Sequence, residues 1–164
     1  MHLNRVASAE EMRAVVLEHQ PAQDALIFAA AVSDYRVRDP SEHKIKRHEH
    51  PNLTLQLDPN PDIAAESGSR KKRGQVVVVF AAETRDLLAN AQRKLDAKHA
   101  DLVVANDITE PGSGFESSQN RVTLLRRANN GHAAPEVTPL PLMDKSIVAG
   151  HIVLTVGEML AARR

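Results

Sequence analysis

The sequence predicts an α/β domain built on a mostly parallel β-sheet with flanking helices, and three short apolar runs carry that expectation. Residues 25–32 (Ala-Leu-Ile-Phe-Ala-Ala-Ala-Val), 76–81 (Val-Val-Val-Val-Phe-Ala) and 102–105 (Leu-Val-Val-Ala) are continuously apolar. A strand covered on both faces reads this way, because neither set of alternate side chains meets water, and such strands belong to parallel sheets. Between the second and third runs, residues 86–98 place Leu87, Leu88, Ala91 and Leu95 on one helical side. Strand, amphipathic helix and strand in that order form a βαβ unit with a right-handed crossover.

The remaining elements follow from capping and periodicity. Ser8-Ala9-Glu10-Glu11 is a capping box, with Ser8 as N-cap and Glu11 three residues on, and Pro21 ends the helix it opens. Leu-Thr-Leu-Gln-Leu at 53–57 alternates strictly, as a half-exposed antiparallel strand does. A helix is expected from Pro61 onward, capped by Asn60 and weakened at its end by Gly68. Asn120–Leu125 reads as a short strand, 127–139 as a loop containing Asn-Asn-Gly and two prolines, and 145–162 as a closing helix.

Composition narrows the function. The 164 residues fit a single domain, 1–164, and 42% hydrophobic content suffices for a core. Only 2% is aromatic, so that core is aliphatic. Lysine plus arginine equals aspartate plus glutamate at 21 each, which leaves no global basic field for nucleic acid or an anionic membrane. The absence of cysteine excludes disulfides and a thiol nucleophile and suits a reducing compartment. No apolar run approaches the ~20 residues that cross a bilayer, and no signal-peptide core follows the N-terminus, so the expected location is the cytoplasm.

In open parallel sheets, ligands bind beyond the carboxyl ends of the strands. That rule selects three polar loops: Ser33-Asp34-Tyr35-Arg36, Ala82-Glu83-Thr84 and Asn106-Asp107. Lys44-Ile45-Lys46-Arg47 could converge on a polyphosphate or simply keep an edge strand soluble. Lys94 and Lys98, four apart on one helix face, could grip phosphate or face solvent. Asn60-Pro61-Asp62-Ile63 opens a helix whose free amides favour an anion, although Asp62 could equally serve the helix dipole. Arg70-Lys71-Lys72-Arg73 reads as solvated surface. His43, His48 and His50 lack a carboxylate or cysteine to complete a metal set, and Gly112-Ser113-Gly114-Phe115 lacks the GxGxxG spacing of a phosphate-binding fingerprint.

Taken in order, Ala30-Ala31-Val32-Ser33-Asp34-Tyr35-Arg36, Lys44-Ile45-Lys46-Arg47, Asn60-Pro61-Asp62-Ile63, Phe80-Ala81-Ala82-Glu83-Thr84, Lys94 with Lys98, Ala105-Asn106-Asp107 and Gly114-Phe115 resemble bacterial phosphopantothenoylcysteine synthetase over nearly the whole chain. The resemblance implies a Rossmann-like fold with an antiparallel dimerisation extension around residues 36–57. It implies a ligase of coenzyme A biosynthesis that joins 4′-phosphopantothenate to L-cysteine with CTP and Mg²⁺. An acyl-cytidylate forms first with loss of pyrophosphate, and cysteine's amine then displaces CMP. The physical logic is that a carboxylate is a poor acyl donor until its oxygen becomes a good leaving group, so alignment and charge stabilisation dominate.

By the same resemblance Lys44 is the catalytic residue and neutralises nucleotide phosphates. Ala30, Ala31, Asp34, Pro61, Asp62, Ile63, Ala64 and Phe80 bind the nucleotide, and Lys94 and Lys98 hold its phosphate tail. A homodimer is implied, with a fused flavin-dependent phosphopantothenoylcysteine decarboxylase domain in the full-length protein and no FMN in this chain. Two departures stand out. Val79 occupies a position where the family carries glycine, and the family's N-terminal glycine-rich strand–loop–helix has no counterpart, so the domain is expected to be N-terminally truncated. The competing expectation is a catalytically incomplete nucleotide-binding and dimerisation module that keeps only the CTP half-site.

Overall fold

Helix α1 (Ala9–His19) starts where its capping chemistry puts it, in a computed structural model that describes residues 2–48, 52–109, 117–128 and 134–163. Ser8 Oγ accepts from the Glu11 amide at 3.2 Å, and the Glu11 carboxylate accepts from the Ala7 amide at 2.8 Å, one residue earlier than in a standard capping box. A 3₁₀ turn over Gln20–Ala22, containing Pro21, then delivers the chain to strand β1 (Ala25–Phe28). A small ribbon follows, β2 (Tyr35–Val37) paired antiparallel with β3 (Leu57–Pro59). Helix α2 (Ile63–Arg70), β4 (Val76–Glu83), α3 (Leu87–Ala97) and β5 (Leu102–Asp107) come next. The chain closes with β6 (Gln119–Asn120), β7 (Thr123–Arg126), β8 (Glu136–Pro139), β9 (Met143–Asp144) and α4 (Lys145–Ala161).

The main sheet has the order β1-β4-β5-β7-β8. β1, β4 and β5 run parallel, whereas β7 and β8 return antiparallel. The connection decides the direction: α3 carries the chain back from β4 to β5, while among the described residues no helix lies between β5 and β7. The result is a mixed Rossmann-like sheet with helices on both faces. Alternate residues of β4 sort into two cores. Val77, Val79 and Ala81 pack with Ala91 and Leu95 of α3, and Val76 and Val78 pack with Val148, Ile152 and Val156 of α4. This two-sided burial explains why the strand reads as an unbroken apolar run.

Several expectations shift at the edges. The alternating leucines at 53 and 55 lie outside the ribbon, and β3 begins only at Leu57, because the partner β2 is three residues long. Leu53, Leu55 and Leu57 are all exposed. Residues 44–47 form no strand, so they are not a solubilised sheet edge. β8 occupies part of the stretch expected to be loop; as the last strand of the sheet it pairs on one side only, where proline is tolerated. The Asn-Asn-Gly segment and Gly112–Phe115 lie outside the described residues, as does His50. Asn120–Leu125 divides between β6 and β7, since β6 pairs with β9 instead.

Helix α2 starts at Ile63 rather than Pro61, with Asp62 as N-cap accepting from the Ala65 amide at 3.0 Å. Asn60 is drawn elsewhere, as described below. Gly68 does not end this helix. A Cβ there would lie 1.9 Å from the Lys98 carbonyl oxygen, so glycine permits the close approach of α2 to the end of α3. Arg13 of α1 clamps α2 through both Glu66 oxygens at 2.5 and 2.7 Å, and this pairing holds the Glu66 carboxyl below the usual carboxylate range.

Candidate functional site

Two adjoining hollows open at the carboxyl ends of β1 and β4 and share Ala30 and Phe80. The smaller, about 160 Å³, is lined by Ala30, Asp34, Pro61, Asp62, Ile63, Ala64, Phe80 and Lys98 of the expected set. The larger, about 460 Å³, takes Ala30, Ala31, Phe80 and Lys94, and adds Asn106, Asn120 and Lys145. Lys44 lines neither; it sits exposed on the segment between β2 and β3. Sequence order thus scatters these residues over some 70 positions, and the sheet gathers all but one at a single edge.

The smaller hollow is shaped by Asn60. Its amide N–H donates to the Asp34 carbonyl at 2.8 Å, and its side-chain Nδ2 donates to the Ser33 carbonyl at 2.8 Å. Arg36 adds a bond from Nη1 to the Pro59 carbonyl at 2.7 Å. These bonds pin the loop after β1 against the start of α2, so Asp34 and the α2 N-terminus face one space. Sequence reasoning gave Asn60 only a capping role; its signal was the Asn-Pro pair itself, which favours a turn over a helix start.

Both expected phosphate-gripping lysines stand beside carboxylates. Lys94 Nζ is 2.7 Å from Glu83 Oε1, and Lys98 Nζ is 3.1 Å from Asp62 Oδ1. The Asp62 side chain therefore serves the helix cap and Lys98, which leaves main-chain groups of 61–64 to face the hollow. Val79 is 2% exposed and packs in the α3-side core, reaching the smaller hollow only at its wall. The core absorbs the Val79 side chain.

At the end of β5, the Thr109 hydroxyl and amide donate to Asp107 Oδ1 at 2.6 and 2.8 Å and hold its carboxyl below the usual range. Among the described residues no group of three or more His, Cys, Asp or Glu gathers to hold a metal ion. Glu83 is paired with Lys94, and Asp107 with Thr109, so the described side chains do not fit a protein-held Mg²⁺ site.

Apolar parallel strands ending at a lysine-bearing cleft define a Rossmann-like α/β domain. The chain belongs to the family described as the DNA/pantothenate metabolism flavoprotein C-terminal domain, whose model matches residues 1–159. It is 38% identical over 154 residues to the coenzyme A biosynthesis bifunctional protein CoaBC of Bacillus subtilis (strain 168), covering 94% of this chain and 36% of that protein. A cysteine/cysteine sulfinic acid decarboxylase from an unknown prokaryotic organism is 38% identical over 148 residues, which is 90% of this chain and 39% of that protein. The crystal structure of the C-terminal domain of a CoaBC protein superposes with a TM-score of 0.74 at 31% identity, over 97% of this chain and 66% of that one. The chain thus spans less than 40% of the length of these curated relatives. The family resemblance drawn from the motifs is borne out. No helix among the described residues is long and apolar enough to cross a membrane.

Proposed function

We propose that this chain is a phosphopantothenate–cysteine ligase domain acting in coenzyme A biosynthesis. The observation that carries the reading is the shared strand-end cleft, where Asp34, the start of α2, Phe80, Lys94 and Lys98 meet in a chain of this family. The smaller hollow receives the base and ribose of CTP, and the lysines draw its phosphates toward the larger hollow. That larger hollow, walled by Phe80, Val148 and Ile152 with amides from Asn106 and Asn120, suits an aliphatic amide-bearing acid such as 4′-phosphopantothenate.

The carboxylate oxygen of that acid attacks the α-phosphorus of CTP. Pyrophosphate leaves with the electron pair of the broken P–O bond. Cysteine's amine then attacks the activated carbonyl, loses a proton and expels CMP. Cations disperse the negative charge of the first step, which is where Lys94, Lys98 and Lys44 act. Lys44 stands off the cleft on the exposed segment between β2 and β3, so its action requires that segment to move toward the nucleotide. The apolar side chains on that segment, Leu53, Leu55 and Leu57, support its use as a homodimer contact. The described side chains provide no nest for Mg²⁺, and no step is assigned to it.

Incubation with CTP, 4′-phosphopantothenate and cysteine tests the reading by mass spectrometry. Formation of 4′-phosphopantothenoyl-cysteine with stoichiometric CMP and pyrophosphate is the expected result. Nucleotide binding without any acyl-cytidylate would reduce the chain to a nucleotide-binding module.

A further inference from the structure

Lys94 sits on a flexible four-carbon stem, yet its ammonium is held by a carboxylate that is itself immobile. Glu83 ends β4 in register with Asp107, and its carbonyl accepts from the Ile108 amide at 3.0 Å. Its side chain is only 14% exposed, and Oε1 forms an ion pair with Lys94 Nζ at 2.7 Å that lacks hydrogen-bond geometry, so Oε1 is buried without a hydrogen bond. The other oxygen, Oε2, accepts from Asn90 Nδ2 at 2.8 Å, and that amide also donates to the Arg85 carbonyl at 2.9 Å. Glu83 is therefore fixed from the strand, from α3 and from the β4–α3 turn. The Lys98–Asp62 pair is built differently: Asp62 is 53% exposed and the contact is longer, at 3.1 Å. Asp62 lies open to water and salt, although Lys98 at 26% is less exposed than Lys94 at 35% and hydrogen-bonds its carboxylate.

We infer that Glu83 is a positioning residue that holds the Lys94 ammonium at the rim of the larger hollow, ready for a phosphate oxygen, without touching the nucleotide. The inference rests on the reading of Lys94 as a phosphate ligand. A pre-placed cation whose N–H donors are not spent on its carboxylate has little freedom left to lose when an anion binds.

Two measurements test this. In the first, the reactivity of each lysine amine in the ligand-free protein is read by isotope-labelled acetic anhydride and mass spectrometry, with circular dichroism confirming the fold. In Glu83→Gln and Glu83→Ala, Lys94 should label several-fold faster while Lys98 is unchanged; an unchanged Lys94 rate overturns the positioning role. In the second, pyrophosphate and CTP are titrated calorimetrically against Glu83→Ala, Lys94→Ala and the double variant. Each single change should weaken binding about tenfold, as loss of a hydrogen bond to a charged group does, and the double variant should be no worse than Lys94→Ala. Glu83→Gln, whose amide oxygen can still accept from lysine, should recover part of the loss. Multiplying losses in the double variant would overturn the inference. Normal binding by Lys94→Ala would instead overturn the reading of Lys94 as a phosphate ligand, while the labelling result still decides whether Glu83 places it.

Discussion

Gly68 links packing to the site more directly than any other single residue. Alanine in a helix is favoured over glycine by about 1 kcal/mol, so propensity alone says that Gly68→Ala stabilises. The Lys98 carbonyl, 1.9 Å from the added Cβ, reverses that sign, because a backbone atom at a helix end cannot swing aside. We predict a net loss of roughly 1–3 kcal/mol, read as a lower urea midpoint at unchanged slope, with Lys98 displaced from Asp62. None of this is legible in the sequence, where Gly68 reads only as a weak spot in a helix. The same limit applied to Asn60. A side chain with two amide bonding groups is an obvious cap on paper, and only the return of the chain brings Ser33 within its reach. Asp34 and Pro61 could be placed near the cleft from where a strand and a helix stop, which apolar runs and capping residues mark, whereas Phe80 entered only through the family resemblance.

Among elements, the buried strands were readable and the edges were not. β4 and β5 are covered on both faces, so local composition carries the whole signal. β3 and β8 exist through pairing with distant partners, which alternation and proline content cannot report. The β2–β3 ribbon stands apart from the main sheet, with its Tyr35 and Leu57 exposed, as are Leu53 and Leu55 in the segment leading to β3. A lone two-stranded ribbon is marginal in water, so those side chains need a cover. Replacing Leu55 and Leu57 by serine should change the stability of the isolated fold by no more than about 0.5 kcal/mol per site. On the proposed homodimer contact, the mass seen by analytical ultracentrifugation is a dimer's for the wild-type chain and a monomer's for this variant. An unchanged dimer would show that the ribbon is not the contact.

At the scale of the molecule, one edge of the sheet collects what the chain distributes. Net charge is zero, so attraction of a polyanion depends on local placement of Lys94 and Lys98 rather than on a global field. Each lysine faces a carboxylate: Lys94 meets a phosphate oxygen while Glu83 keeps it in place, and Lys98 would exchange Asp62 for one. Lys44 alone stands off the cleft, which ties its contribution to the ribbon on which it rides. The central claim is therefore a nucleotide site at the carboxyl ends of β1 and β4. Calorimetric titration with CTP and with ATP, repeated on Asp34→Ala and on Lys98→Ala, tests it most directly. The account predicts saturable binding of CTP in preference to ATP, weakened about tenfold or more in each variant. Equal affinity in the wild-type chain and both variants would contradict it, because the nucleotide would then bind somewhere other than this cleft.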